Sequence, residues 1–452
     1  MINRTIAPIA KDEIAFKFPA ITYASTSNEI KIISSFKPSA PLINFRLTIK
    51  RGSIYDLPEF NGTSLLTTRM IDEGAGRFNS LELNQEISYL GTHLSISCDN
   101  ENTYFSITSL SENFEKSLYL LSEILKSPHF DQTDFEREKE TLINSLKLVQ
   151  AYPDFIAEDC FKKLMFGSNN YGIDIFGSLE TLNNIHLEHI KNFYNNFYSP
   201  KDSIITVVGN IENDVLLNLI DKYIGDWTNN YSNSFQPDLE ITPTLPGTYF
   251  LNFPGSVQSE IRIGLLTPQI DLTNYPSILL NIIFGGDISS RLNKVLREKE
   301  GITYGAYSYF EIMKNVSAFL ISTSVDIENS FKAIRLIKEV MDDISINITE
   351  GELNYAKSKL INKLPLKFES ILSLNSTINH LEIMELGLDY YDNYSEKIQS
   401  VTLEDVQKLA SELFVKENFI FFLTGDKEKF FDLEFDEDIF EVENSGRIIS
   451  SL

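Results

Sequence analysis

Arg297 and Tyr304 stand out in this sequence as residues whose type and setting could serve chemistry. Arginine is a permanently charged donor, and a tyrosine hydroxyl can donate to a developing negative oxygen. Both lie in the stretch Gly285-Gly286-Asp287-Ile288-Ser289-Ser290-Arg291-Leu292-Asn293-Lys294-Val295-Leu296-Arg297-Glu298-Lys299-Glu300-Gly301-Ile302-Thr303-Tyr304. The glycine pair and two serines can open a helix. Leu292, Val295 and Leu296 recur at three- and four-residue spacing, which predicts one apolar helix face. Gly301 sits where a helix needs a left-handed exit, and the β-branched and aromatic run Ile302 to Phe310 predicts a strand. A plainer reading of the same pattern has Arg297 favouring the helix dipole and Tyr304 as a half-buried strand aromatic.

The elements around this stretch follow a layered α+β pattern. Glu29 to Ser35 and Leu42 to Arg51 read as strands, and Ser64 to Ile71 reads as a helix after Gly62. Ser80 to Leu90 has helical spacing at Leu83, Ile87 and Leu90, closed by Gly91. Leu94 to Cys98 and Thr103 to Leu110 read as a strand pair, and Glu112 to Lys126 and Phe135 to Val149 as helices. Residues 1–25 read as a lead-in with an extended segment. A weak internal repeat relates Leu187-Glu188-His189-Ile190, leading to Ile204-Ile205-Thr206-Val207-Val208-Gly209-Asn210, to Leu403-Glu404-Asp405-Val406, leading to Ile420-Phe421-Phe422-Leu423-Thr424-Gly425-Asp426. The offset is constant, 403 − 187 = 216 and 426 − 210 = 216. A helix and strand repeated at that distance point to duplicated halves. The expected organisation is a first domain over 1–228, a linker over 229–247 rich in Pro, Ser, Thr and Asn, and a second domain over 248–452 that carries Arg297 and Tyr304.

Gly-Gly-x-x-x-Ser-Arg-Leu followed by Leu-Arg-Glu-Lys-x-Gly-x-x-Tyr resembles the C-terminal half of the insulinase-like, or M16, zinc metallopeptidases. It is most similar to the short-chain branch with the mitochondrial processing peptidases and bacterial two-subunit peptidases. The resemblance spans nearly the whole chain and is diffuse outside the motifs. It implies two homologous α/β-sandwich domains in tandem, forming half of a clamshell. It also implies that Arg297 and Tyr304 project into an active site, bind the substrate peptide and stabilise the oxyanion.

Catalysis in that family needs zinc held by two His and a Glu, with a second Glu polarising a water, from a His-x-x-Glu-His helix. The matching frame here is Asn61 to Gly74, and its five signature positions read Leu65, Leu66, Thr67, Thr68 and Arg69. Leucine cannot bind zinc, Thr68 is no general base, and Arg69 repels a cation. The third ligand lies on a later helix after a segment like Arg137-Glu138-Lys139-Glu140; the corresponding positions read Asn144 and Ser145. The resemblance therefore implies no zinc in this chain and Zn2+ in a partner. His186-Leu187-Glu188-His189 puts two His three apart, but an ordinary surface helix is the expected reading. His93, His129 and His380 are isolated. No phosphate-binding Gly-x-x-x-x-Gly-Lys and no Gly-x-Ser-x-Gly turn occurs.

The chain has 452 residues, 42% of them hydrophobic, a globular composition with room for two or more cores. No apolar run approaches the eighteen or more residues that span a bilayer, so membrane insertion is not expected. The start lacks a long apolar segment of the secretory type, and Cys98 and Cys160 form neither a metal pair nor a disulfide framework. A cytoplasmic location is expected, ahead of a periplasmic one. The formal net charge of −25 makes nucleic acid and anionic membranes poor partners and suits a basic peptide better. Together these observations support a non-catalytic subunit of a two-chain M16 peptidase. It would give Arg297 and Tyr304 in trans to a zinc-bearing homologue of similar size and be inactive alone. Two alternatives stand beside it. One is a structural or assembly subunit, like the core proteins of the respiratory bc1 complex. The other is a peptide-binding homodimer.

Overall fold

A computed structural model describes residues 18–229, 235–237, 239–268, 270–430 and 438–451. In the first half, β1 (Thr22–Ser25), β2 (Lys31–Phe36), β3 (Leu42–Ile49), β4 (His93–Cys98), β5 (Thr103–Leu110) and β6 (Ser203–Gly209) form a sheet in the order β1-β2-β6-β3-β5-β4. Its helices are α1 (Thr63–Met70), α2 (Ser80–Tyr89), α3 (Phe114–Lys126), α4 (Gln132–Val149), α5 (Pro153–Phe166), α6 (Leu179–Asn184), α7 (Leu187–Phe197) and α8 (Asn213–Ile224). In the second half, β7 (Gly247–Asn252), β8 (Gln258–Thr267), β9 (Ala306–Ile312), β10 (Ser317–Asp326), β11 (Ile420–Gly425), β12 (Ile439–Val442) and β13 (Ile448–Ser451) run in the order β13-β12-β7-β11-β8-β10-β9. Its helices are α9 (Tyr275–Phe284), α10 (Arg291–Asn293), α11 (Ser330–Ile346), α12 (Glu350–Lys367), α13 (Ile371–Ile383), α14 (Tyr394–Ser400), α15 (Leu403–Leu413) and α16 (Lys427–Phe430).

The 216-residue offset extends well beyond the two motifs that first display it. It relates β2 to β7 (247 − 31), β3 to β8 (258 − 42) and α3 to α11 (330 − 114), as well as α7 to α15 (403 − 187). Pairing repeats too. The central strand, β6 or β11, runs parallel to one neighbour, β2 or β7, and antiparallel to the other, β3 or β8. Both central strands are buried along their whole length, which is why Ile204 to Val208 and Ile420 to Leu423 are continuous apolar runs rather than alternating ones. The chain is thus two α+β units that share a five-stranded plan, β2-β6-β3-β5-β4 and β7-β11-β8-β10-β9, and differ at the outer edge, where β1 is antiparallel to β2 but β12 is parallel to β7. Of the 229–247 stretch, residues 230–234 and 238 lie outside the described residues, as do 1–17 of the lead-in.

The two halves exchange a helix. Helix α5 precedes the 229–247 stretch in sequence yet packs across β8 and β11 of the second sheet. Ala157, Cys160, Phe161 and Leu164 are buried there with Leu320, Ile420 and Phe422. Gly264 of β8 leaves room for the Phe161 ring, which a Cβ there would meet at 3.0 Å. Reciprocally, α13 packs across β3 and β6 of the first sheet. Its Asn375 amide donates to the Asn44 Oδ1 at 2.6 Å and the Thr206 carbonyl at 3.2 Å, and Asn379 donates to the Thr48 Oγ1 at 2.8 Å. These polar groups are buried, so each needs the partner it has.

Candidate functional site

The stretch holding Arg297 and Tyr304 is built as helix, under-wound π-turn and strand. Helix α9 ends at Gly285, where a Cβ would come within 2.5 Å of the Ser308 hydroxyl and 2.8 Å of Leu292. The glycine is required by close approach of the helix end to β9, not by capping. Ser290 caps the next helix, as its position in the sequence implied. That helix is α-helical only over α10; Lys294–Lys299 form a π-turn in which the Glu300 N–H reaches the Val295 carbonyl at 3.0 Å. Apolar residues at 292, 295 and 296 fit either winding, so spacing alone favoured the commoner α form. Turns of π geometry recur at functional sites. Gly301 takes φ 64°, the expected left-handed exit.

The strand predicted from Ile302 begins instead at Ala306. Thr303 and Gly305 are held in a turn: the Thr303 hydroxyl donates to the Ser324 carbonyl at 2.8 Å and accepts the Gly305 N–H at 3.1 Å. Tyr304 therefore stands in that turn at 92% exposure, not half-buried in a strand. Arg297 is likewise exposed, and neither residue has a hydrogen-bond or ion-pair partner among the described residues. Asn293, which the sequence reading passed over, is 1% exposed and bonds the backbone of Ala306 on both sides. Its one signal is an amide set beside Leu292 on an otherwise apolar face.

Arg291 fastens this stretch to the helices behind it. Its guanidinium meets Glu352 through two bonds, at 2.7 and 2.8 Å, and donates to Asp343 at 2.8 Å and to the Asn347 carbonyl. Burial raises the Glu352 pKa, but hydrogen bonds from Arg291 and Thr349 outweigh it and hold the carboxyl at about 2. A depressed carboxylate stabilises the fold above its ordinary pKa and loses that contribution as pH falls toward the folded value. Glu352→Gln is therefore expected to lower stability at neutral pH and to flatten the decline between about pH 4.5 and pH 2. Urea melts across that range check this; parallel curves for both proteins would refute it.

Tyr304 lines a cleft of about 760 Å³ with Tyr307, Phe253, Pro254, Glu260 and Arg262. Its floor is the face of β8, β9 and β10 beyond the end of α5. There Arg262 is held by Glu158 at 3.1 Å and Glu260 at 3.2 Å. Burial pushes the nearby Glu311 carboxyl up, Lys162 opposing and Glu158 reinforcing. Arg262 is thus paired with both Glu158 and Glu260, while the Tyr304 hydroxyl at the rim has no partner among the described residues and is open to donate. Such a donor can meet an anionic oxygen presented from outside this chain.

The frame of the zinc signature lies on the other half, on α1 packed against α4 and α7. Gly62 precedes it at φ 101°, and the buried Asp56 carboxylate accepts the Gly62 and Ser64 N–H groups, both at 2.9 Å. Burial lifts Asp56 to about 7 despite those bonds. Thr68 turns its hydroxyl into its own helix, onto the Leu65 carbonyl at 2.7 Å, and Ser145 does the same onto Thr141 at 2.8 Å. Next to them Arg137 pairs with Glu73 at 2.5 Å. These side chains do not fit a zinc ion: Leu65, Thr68, Arg69 and Ser145 offer no imidazole, thiolate or carboxylate. Among the described residues no group of three His, Cys, Asp or Glu is placed to hold a metal. His189 accepts the His186 N–H through Nδ1 at 2.9 Å and stacks on Phe60 at 3.9 Å, a capping role.

Two family models match the chain: "Insulinase (Peptidase family M16)" over residues 31–178 and "Peptidase M16 inactive domain" over residues 184–360. The chain is similar to the Bacillus subtilis uncharacterized zinc protease YmxG, 24% identical over 392 residues that cover 86% of this chain and 95% of that one. Its fold is similar to a peptidase M16 inactive domain from Pseudomonas fluorescens, with TM-score 0.81, 22% identity and coverage of 90% and 98%. A chain of complex III2 from Candida albicans shares the fold at TM-score 0.74 and 16% identity, covering 90% and 96%. With matching family models over both halves and the duplicated architecture they describe, this chain belongs to the M16, insulinase-like, peptidase family.

Proposed function

We propose that this chain is the non-catalytic subunit of a two-chain M16 peptidase. A zinc-bearing homologue of similar size faces it, the two closing around a chamber, and Arg297 and Tyr304 act in trans on the peptide held there. The observation that carries this reading is the contrast between two places in one chain. The Arg297 and Tyr304 side chains are exposed and have no partner among the described residues, on a tightly fastened element, and Tyr304 lines a cleft. The signature helix instead holds Leu65, Thr68 and Arg69, with its hydroxyl bonded internally. The substrate class in this reading is an extended peptide. Among the described residues no helix is long and apolar enough to cross a membrane.

The likeness to a complex III chain supports a second reading, an assembly subunit without proteolysis, because one fold can serve both roles. Purification of the native complex with its metal content decides between them. A co-purifying homologue with an intact His-x-x-Glu-His and one zinc per pair supports the peptidase. Recovery of this chain alone, or with unrelated proteins, refutes it. The isolated chain is expected to hold no stoichiometric zinc and to cleave no peptide. One tightly bound equivalent by elemental analysis would overturn that.

A further inference from the structure

We propose that Asn293 and Thr303 are positioning residues that fix the backbone on either side of Tyr304 and so aim its hydroxyl, an inference that rests on the trans-acting role given above to Tyr304. The Asn293 side chain closes a two-bond ring with one residue: its Oδ1 accepts the Ala306 N–H at 3.1 Å, and its Nδ2 donates to the Ala306 carbonyl at 2.8 Å. The same Nδ2 donates to the Asp287 carbonyl at 3.0 Å, tying the start of the stretch to its end. On the other side, Thr303 engages the Ser324 carbonyl and the Gly305 N–H, and the Thr323 hydroxyl donates to the Gly305 carbonyl at 3.0 Å. Only Tyr304 and Gly305 lie between the two clamps.

Gly305 belongs to the same device. A Cβ there would meet the Tyr307 hydroxyl oxygen at 2.7 Å, so glycine lets that side chain lie against the turn. Tyr304 has no packing of its own to hold it, being 92% exposed. What this chain fixes is the backbone that carries it, and that backbone is set by the buried Asn293 bonds and the part-buried Thr303 and Thr323 bonds. A buried amide with all its bonds satisfied within one short stretch specifies geometry more than stability. A donor aimed at a developing oxyanion loses most of its effect when displaced by about 1 Å, on the order of a hundredfold in rate.

The test uses the complex purified from the native host and a quenched fluorescent peptide library. Asn293→Ala and Thr303→Val are each expected to lower kcat by about 10–100-fold with KM, zinc content and assembly unchanged. Thr303→Ser, which keeps the hydroxyl, should restore turnover. Tyr304→Phe should cost far less in the Asn293→Ala background than alone, because a misaimed hydroxyl has little left to lose. Hydrogen exchange adds a readout independent of activity: the Ala306 amide should exchange faster in Asn293→Ala and the Gly305 amide in Thr303→Val. Should Asn293→Ala not fold, Thr303→Val carries the test. If Tyr304→Phe slows turnover while both clamp variants turn over normally, the positioning role is refuted and the parent reading survives. If Tyr304→Phe itself has no effect, the parent reading fails and this inference with it.

Discussion

Tyr304→Phe in this chain is expected, on the proposed trans-acting role, to slow peptide cleavage at a partner's zinc site by on the order of a hundredfold in kcat. The change removes one oxygen from a side chain that is 92% exposed and bonded to no described residue, so the fold has nothing to lose. Any lost turnover must then come from what the hydroxyl meets outside this chain. Arg297→Ala, at a similarly exposed site, should raise KM as well as lower kcat, since a guanidinium can also hold a peptide carbonyl before the reaction begins. Rates are measured per zinc-loaded, intact complex. If this chain is only a scaffold for the zinc-bearing one, kcat and KM are normal in both variants, and that result would remove the chain from catalysis.

Cutting the chain within 229–247 abolishes the independent folding of both parts, although each carries a complete sheet. The first part presents α5 with Ala157, Cys160, Phe161 and Leu164 uncovered, and the second leaves Ile420 and Phe422 bare beneath it. A large buried apolar side chain contributes about 1.5–3 kcal/mol. Several such groups amount to roughly the net stability of a whole domain, ~5–15 kcal/mol. Losing α13 uncovers one face of the first sheet as well and takes the Asn375 and Asn379 amide donors from the Asn44 Oδ1 and the Thr48 hydroxyl. Co-expressed fragments should associate and melt as one unit. A lone 1–228 fragment that unfolds cooperatively as a monomer would refute this.

The duplicated α+β plan was legible because its signals are local. Continuous apolar runs marked the buried central strands, and one repeat offset marked the duplication. In the frame where the resemblance expects the zinc signature, Leu65 and Arg69 cannot be mistaken for ligands. What stayed hidden depends on pairing. Helix α5 has an apolar face whichever sheet it covers, so nothing in residues 153–166 reveals that it serves the other half. The π winding at Lys294–Lys299 was hidden because Leu292 and Leu296 are buried in either register. The delayed start of β9 was hidden because Thr303, a good strand former, spends its hydroxyl on a turn. Asn293 was missed because an asparagine in a helix is ordinarily a weak exposed residue, and burial became evident only with its partner at Ala306.

The exchange of helices also sets a timetable for synthesis. The last strand of the first sheet ends at residue 209, but the helix that covers that sheet ends at 383, a gap of 383 − 209 = 174 residues. At about 5–20 residues per second the ribosome needs roughly 10–35 s to close it. Throughout that interval the strands of the first sheet lack the helix that covers one of its faces, with Ile33 and Val208 open to any hydrophobic contact. Growing chains of this protein are accordingly expected to need a holding chaperone between the emergence of the first sheet and the arrival of residues 371–383.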